Sequence, residues 1–353
     1  MRPVKMLSIV AVSGAMLAGL PAGAGAAEPL PGVVKTTLTE TNLVTMNGAD
    51  PAYRSLLARR ASNNLVASDG AAERNIAQYL DVAFQRSALW LLERGIAEPR
   101  ESYVDQAVRA IEYGFRKQAK DGSFTNTLGL SATDDLEGAS FFLQSFGRAY
   151  DMIANTSYRG RYLSRLDALK GRVATSMVWL AGNLATLQKQ SHNAPNRMFF
   201  HAVSFILNGK ILIDAKSIQV GSDFVQRGLK GQRSDGSFIE GGGYDSSYQG
   251  TCLQMLVVLL PHIDNPTLKA AGASAVQKGL AWEKTRIRPT GEVIVDGNAR
   301  TGLGQEELLG KPKDVNYAEV AVAMIFGGEV VNDPQATQLG RQIATYAVQP
   351  RKN

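Results

Sequence analysis

The densest run of side chains able to do chemistry is Ser234–Gly250, which reads Ser-Asp-Gly-Ser-Phe-Ile-Glu-Gly-Gly-Gly-Tyr-Asp-Ser-Ser-Tyr-Gln-Gly. Gly241, Gly242 and Gly243 permit unusual dihedrals and close backbone approach to a ligand. Tyr244, Asp245, Ser246, Ser247, Tyr248 and Gln249 then open a helix, whose first turn offers free amides and a partial positive charge. Asp245 or Ser246 can cap that helix as well. A second segment, His192-Asn193-Ala194-Pro195-Asn196-Arg197-Met198-Phe199-Phe200-His201, supplies imidazoles, amides and a guanidinium. Tyr248 and His201 are proton carriers, and Asn196 and Arg197 can neutralise a carboxylate by hydrogen bonding. We take Tyr248, His201 and Asn196 as candidate catalytic residues. Asn193, Arg197, Tyr244, Asp245, Gln249 and Arg300 are candidate substrate contacts. Each also has a plain structural role open to it: a buried tyrosine with its hydroxyl bonded, a core histidine, or an N-cap after Pro195.

Two further clusters carry charge. Thr133-Asp134-Asp135-Leu136-Glu137-Gly138 sets paired carboxylates before a helix. Such a pair can serve a glycoside hydrolase as acid and base, or it can simply cap a helix starting at Leu136. Neither Asp-x-x-Asp-Asp nor Asp-Asp-x-x-Asp is present. Asp296-Gly297-Asn298-Ala299-Arg300-Thr301-Gly302 combines turn glycines with an arginine able to hold a carboxylate bidentately. Three histidines and the single Cys252 argue against a zinc site, and we expect no metal and no cofactor.

One phrase repeats. Gln118-Ala119-Lys120-Asp121-Gly122-Ser123-Phe124 recurs as Gln232-Arg233-Ser234-Asp235-Gly236-Ser237-Phe238, at a spacing of 235 − 121 = 114 residues. A weaker echo, Thr290-Gly291-Glu292-Val293, follows 290 − 235 = 55 residues later. The interval predicts helical hairpins of about 55 residues, each ending in an Asp-Gly turn at one rim of the molecule. Repeated hairpins with such turns resemble the (α/α) toroid architecture shared by terpene cyclases, prenyltransferases, several glycosidases and many polysaccharide lyases. The resemblance covers roughly residues 71–347.

Within that group the chain is similar to the toroid polysaccharide lyases of the alginate and the hyaluronan/chondroitin types. In the latter, an Asp-Gly-Ser-aromatic turn precedes the catalytic tyrosine by about a dozen residues. Asp235-Gly236-Ser237-Phe238 followed by Tyr248-Gln249-Gly250 matches that pattern. An asparagine, often with a histidine, lies on an earlier helix of these enzymes, and Asn196 matches it here. Alginate-type enzymes carry His directly after that Asn, where this chain has Arg197. Hyaluronan-type enzymes carry His shortly before the Tyr, where this chain has glycine. The resemblance implies β-elimination: a proton beside a uronate carboxylate is removed and the oxygen at C4 is expelled. Near-neutral chemistry by a tyrosine base would need positive charge nearby, since an unperturbed phenol titrates at ~10.

The elements that must position these residues are mostly helical. Helical spacing of apolar residues predicts helices over 51–60, 76–93, 101–117, 136–153, 162–187, 197–213, 217–228, 246–260, 265–283, 315–326 and 334–347. Alternation is rare. Glu292–Asp296 is the best strand candidate, expected as half of a small β-hairpin insertion. The expected fold is all-α, a toroid domain over 51–353, preceded by an arm or linker over 28–50 and a signal peptide over 1–27. Export is read from Arg2 and Lys5, the uncharged run Met6–Leu20, and small residues at Pro21–Ala27. That run is shorter than the ~20 residues needed to span a bilayer. Removing two of the positive charges takes the formal charge from +6 to +4. A mild basic excess suits an anionic polysaccharide, while no basic run interleaved with aromatics points to nucleic acid. We therefore expect a periplasmic or extracellular monomer with no membrane span after cleavage.

Overall fold

In the computed structural model the chain is described over residues 34–62, 66–71, 85–124, 132–308 and 311–349. The signal peptide and the first part of the expected helix over 76–93 lie outside those residues. Fourteen α-helices occupy the described chain. They are α1 Glu40–Asn47, α2 Pro51–Ser62, α3 Ala88–Ala97, α4 Glu101–Arg116, α5 Ala132–Ala154, α6 Arg159–Asp167 and α7 Lys170–Gly182. They continue as α8 Leu184–Gln190, α9 Pro195–Leu212, α10 Ala215–Lys230, α11 Ser246–Leu259, α12 Pro266–Lys284, α13 Tyr317–Val331 and α14 Pro334–Val348. The all-α expectation holds, and no described helix is long and apolar enough to cross a membrane.

The helices divide by how they are buried. α9, α11 and α13 are buried on nearly every face, and their sequences are correspondingly apolar all round. α4 and α10 each bury one stripe: Val104, Ala107, Val108, Ile111 and Phe115 on the first, Gly221, Phe224, Val225 and Gly228 on the second. A fully buried helix thus alternates with an amphipathic one, giving the successive pairs α3–α4, α5–α7, α9–α10, α11–α12 and α13–α14, each packed together. The buried helices also contact one another in chain order, from α3 through α5, α9 and α11 to α13. α2, which packs on α3, also meets the last pair: α14 lies against α2, Arg341 pairs with Asp50 at 2.8 Å, and the Tyr53 and Phe326 rings sit 5.7 Å apart.

Asp-Gly turns join the pairs. Gln118 bridges Phe124 and Gln232 bridges Phe238, and in both the Asp carboxylate accepts the amide of the residue two along, Ser123 at 3.0 Å and Ser237 at 2.9 Å. Ile287 bridges Val293 in the same way around Gly291. A fourth copy, Val66–Ala71, keeps Asp69 and Gly70 with the same backbone bonds, Ala67 N to Ala71 O at 2.9 Å and Gly70 N to Ala67 O at 2.9 Å. Each glycine has φ between 88° and 95° and lies against the backbone of the next amphipathic helix. A Cβ there would meet a carbonyl oxygen: Arg109 for Gly70, Thr175 for Gly122, Lys278 for Gly236 and Gln342 for Gly291. Gln118 and Gln232 reinforce the seat by donating to the carbonyls of Arg172 at 2.7 Å and Ala275 at 2.8 Å.

Four expectations change. The linker over 28–50 contains α1, started by a Thr39–Asn42 capping box, and its Glu40 is buried against Arg148. The single helix over 162–187 is three helices, interrupted at Ala168–Leu169 and at Asn183. Helix α5 begins at Ala132, so Asp134 and Asp135 lie inside its first turn rather than before it. Glu292–Asp296 forms no strand. The two strands of the described chain are two residues each, β1 Glu307–Leu308 antiparallel to β2 Lys311–Pro312.

Candidate active site

The N-terminal ends of α5, α9, α11 and α13 meet at one end of the helical layer. Arg197 on α9 pairs with Glu137 on α5 at 2.8 Å. Asn193 O accepts the Gly241 amide at 3.3 Å, and Ser247 Oγ accepts the Asn316 amide at 2.9 Å. The loop between α12 and α13 covers α11, held there by buried polar groups. Asn298 Oδ1 accepts the Ser246 amide at 3.1 Å, and Ser246 Oγ donates to Ile294 O at 2.8 Å.

Asp245 is the pin of this assembly. It caps α11 through the amides of Ser247 at 3.0 Å and Tyr248 at 3.2 Å. Its other oxygen accepts the amides of Arg300 at 3.0 Å and Thr301 at 2.7 Å. With 1 % of its surface exposed and both oxygens committed, it has no lone pair directed at a substrate. Gln249 is likewise committed, its Oε1 accepting from Phe238 N at 2.8 Å and its Nε2 donating to Gly236 O at 3.2 Å. Both were expected to contact substrate, and both instead hold the loops together.

The glycine run also has a structural use. Glu240 and Gly243 exchange backbone bonds at 3.1 and 3.0 Å around Gly241 and Gly242, whose φ values are 59° and 92°. Two positive-φ residues in a row define a type I′ turn. The turn presents Glu240, 2 % exposed, to the guanidinium of Arg300. The second carboxylate oxygen of Glu240 has no hydrogen-bond partner among the described residues. Burial raises its pKa to about 7, against the opposing pull of Arg300 and Arg197.

Tyr248 is half-buried between two cations. Arg300 Cζ lies 4.4 Å and Lys313 Nζ 4.9 Å from its ring centroid. Burial nonetheless outweighs Arg300 and holds the phenol above its ordinary value, so the hydroxyl stays protonated at neutral pH. Glu306 neutralises both cations, accepting from Arg300 Nε at 2.7 Å and Lys313 Nζ at 3.0 Å. Burial disfavours the Glu306 carboxylate, but the two cations prevail and its pKa is lowered.

The structure thus brings together Arg197, Tyr248 and Arg300 of the expected residues, with Asn193 bracing the Glu240 turn through its carbonyl. Asn196 sits beside Arg197 in the first turn of α9, buried, its Oδ1 unpartnered among the described residues. His201 does not join them. It is fully buried, its Nδ1 2.7 Å from Ser140 Oγ and its Nε2 3.0 Å from Ser191 Oγ, packed between Phe141 and Phe224. Burial, and then Arg197, lowers its pKa to about 3. It is a core histidine. Tyr244 faces Trp282 and Arg286 rather than the Tyr248 cluster, with its hydroxyl donating to Asp296 O at 3.3 Å. The Asp134 side chain lies outside the described residues.

Sequence reasoning overlooks Glu240, Glu306 and Lys313, and also a buried ionic cluster deeper between the helices. There Arg148 donates to Glu40 at 2.9 Å and contacts Glu93 at 3.4 Å. Burial and the neighbouring Glu40 raise the Glu93 carboxyl. A readable signal exists: Glu93 directly follows Leu91 and Leu92, and Arg148 lies between Phe146 and Met152, so each falls within an apolar stretch of its helix. No group of three or more His, Cys, Asp or Glu among the described residues is placed to hold a metal ion. Comparison with protein-family models and with curated proteins returns no match for this chain.

Proposed function

We propose that the chain is an exported (α/α) toroid enzyme that cleaves a uronate-containing polysaccharide by β-elimination at the Tyr248 cluster. The toroid reading is supported by the alternation of buried and amphipathic helices, the four equivalent turns and the packing of α14 on α2. One observation carries the chemistry: a protonated tyrosine flanked by Arg300 and Lys313, with Arg197 and the underbonded carboxylate of Glu240 on the same side. In the proposed reaction Glu240 accepts the proton from C5 of the uronate. The C5–H electrons form the C4=C5 double bond as the C4–O bond breaks. Tyr248 gives its proton to the departing O4. Arg197 and Asn196 neutralise the uronate carboxylate, which lowers the cost of carbanion character at C5.

A second reading has a specific observation behind it. A buried carboxyl with a pKa of about 7 is also what a glycoside hydrolase needs as its general acid, with Glu137 as the second carboxylate. A single assay separates the two. The enzyme is incubated with alginate, hyaluronan, chondroitin and polygalacturonate, and both ultraviolet absorbance and reducing ends are followed. Elimination gives both signals in step, and Tyr248→Phe lowers the rate by roughly 10²-fold or more. New reducing ends without absorbance would overturn elimination in favour of hydrolysis.

A further inference from the structure

The seated turns follow one register. Gly122 comes 13 residues after Arg109 (122 − 109), and Gly291 comes 13 after Lys278 (291 − 278), in each case from the seat on an amphipathic helix to the turn that ends it. Counting 13 back from Gly236 puts the seat of α10 at Asp223, and counting 13 on from Thr175 puts the turn that should fill it at Gln188. That turn does not exist. Gln188 lies inside the short helix α8, and no glycine among the described residues rests against Asp223. Between the two positions is an open depression of about 500 Å³, lined by Gln188, His192, Met198, Asp223, Arg227 and Lys230. The first amphipathic helix, α2, is covered by α14, so α10 alone among the described seats is left open.

We propose that this empty seat is a second glycan subsite, holding a uronate residue of the polymer away from the bond being broken. The inference rests on the elimination reading for the identity of the polymer. Its volume falls in the ordinary range of small-molecule sites. Met198, buried, gives an apolar floor for a sugar face. Arg227 and Lys230 have no carboxylate partner among the described residues, so their charge is available to an anion. Asp223, the one acid of the lining, accepts from Gln219 Nε2 at 2.9 Å. His192, also in the lining, is held by its Nδ1 2.8 Å from Lys189 O. The seat adjoins the active cluster: the residue after His192 is Asn193, whose carbonyl holds the turn that presents Glu240. A chain bound at Tyr248 and crossing Asn193 enters the seat.

The test is affinity electrophoresis through gels containing alginate, hyaluronan or polygalacturonate, with dextran as the neutral control. The proteins compared are wild type, Arg227→Ala/Lys230→Ala, and Lys117→Ala/Lys120→Ala, which removes the same charge from a turn far along the chain. At least one polyuronate should retard the wild type, and the Arg227/Lys230 variant should lose at least fivefold of that affinity while the Lys117/Lys120 variant keeps it. On the cleaved polymer the same variant should raise KM with kcat unchanged. Equal retardation of all three proteins, an equal loss in both variants, or no retardation of the wild type would overturn the proposal. Selective loss of binding in a protein that yields no ultraviolet-absorbing product would leave the subsite standing and remove the elimination reading.

Discussion

Arg300 lies over the ring of Tyr248, 4.4 Å from its centroid, and the same guanidinium clasps Glu240 on one side and Glu306 on the other. The cations of the site are therefore internally neutralised, and an anionic substrate must exchange for a carboxylate to reach them. Such an exchange is cheapest where the displaced carboxylate can take up a proton, which places Glu240 at the centre of the pH dependence.

Glu240→Gln tests this. The folded value of about 7 lies above the ~4.3 of an unfolded glutamate, so the folded protein holds a proton that the unfolded chain has released. The stability this lends is fully present below the unfolded value and is lost as pH rises through about 7. Melting temperatures measured from pH 5 to pH 8 should therefore fall less steeply in Glu240→Gln than in wild type. Parallel curves would show that Glu240 does not titrate in this window.

Asp245→Ala removes a helix cap and two anchors of the covering loop together. Caps and hydrogen bonds to a charged group suggest a loss of about 3 kcal/mol or more. Hydrogen exchange should localise the effect, with the amides of Arg300 and Thr301 losing protection beyond the global change. Unaltered protection at those two amides would mean the loop is held by other groups.

The turns separate backbone strain from steric conflict. Gly236→Ala places a methyl 2.2 Å from the Lys278 carbonyl at φ 95°, whereas Gly242→Ala meets nothing within 4 Å at φ 92°. The second should cost only the dihedral penalty, about 1–2 kcal/mol. Gly236→Ala should cost clearly more, read as a larger drop in denaturant midpoint. Equal costs would argue that the seat closes loosely.

Ile213 ends α9 in the left-handed region at φ 57° with 92 % of its surface exposed. A β-branched residue is poorly suited to that conformation, and asparagine tolerates it. Ile213→Asn should raise the denaturant midpoint by the equivalent of about 0.5–1 kcal/mol, with activity unchanged. A lowered midpoint would show that the isoleucine makes contacts worth more than its strain.

Much of this arrangement is legible in the sequence, and the gaps have physical causes. The matched Gln, Asp-Gly, Ser and Phe of residues 118–124 and 232–238 mark two seats because three side chains take part in each. Val66–Ala71 does the same work with Asp69 and Gly70 alone, so its copy has almost no pattern to find. His201 reads as a proton carrier by type, but an imidazole flanked by Phe199 and Phe200 on a helix of apolar residues is placed in the core, where two serines satisfy it. Glu240 precedes three glycines that look like a ligand loop. Only the dihedrals of Gly241 and Gly242 reveal a hairpin turn whose purpose is to aim the carboxylate. Glu40, Glu93 and Arg148 are distant in sequence, and their pairing exists only once α1, α3 and α5 are packed.

The packing of α14 on α2 bears on how the molecule comes apart. A linear array of helical repeats needs specialised capping units with polar outer faces, because its two ends are bare. Here α2 and the last pair, α13–α14, cover each other, through Tyr53 with Phe326 and Asp50 with Arg341. On the toroid reading, no end is left from which the series can fray residue by residue. The weakest seam then lies at the interior junction that lacks its turn, between α7 and α10. A protease working on the native protein should make its first cut in the α8 segment, leaving two fragments that stay associated through the α2–α14 contact.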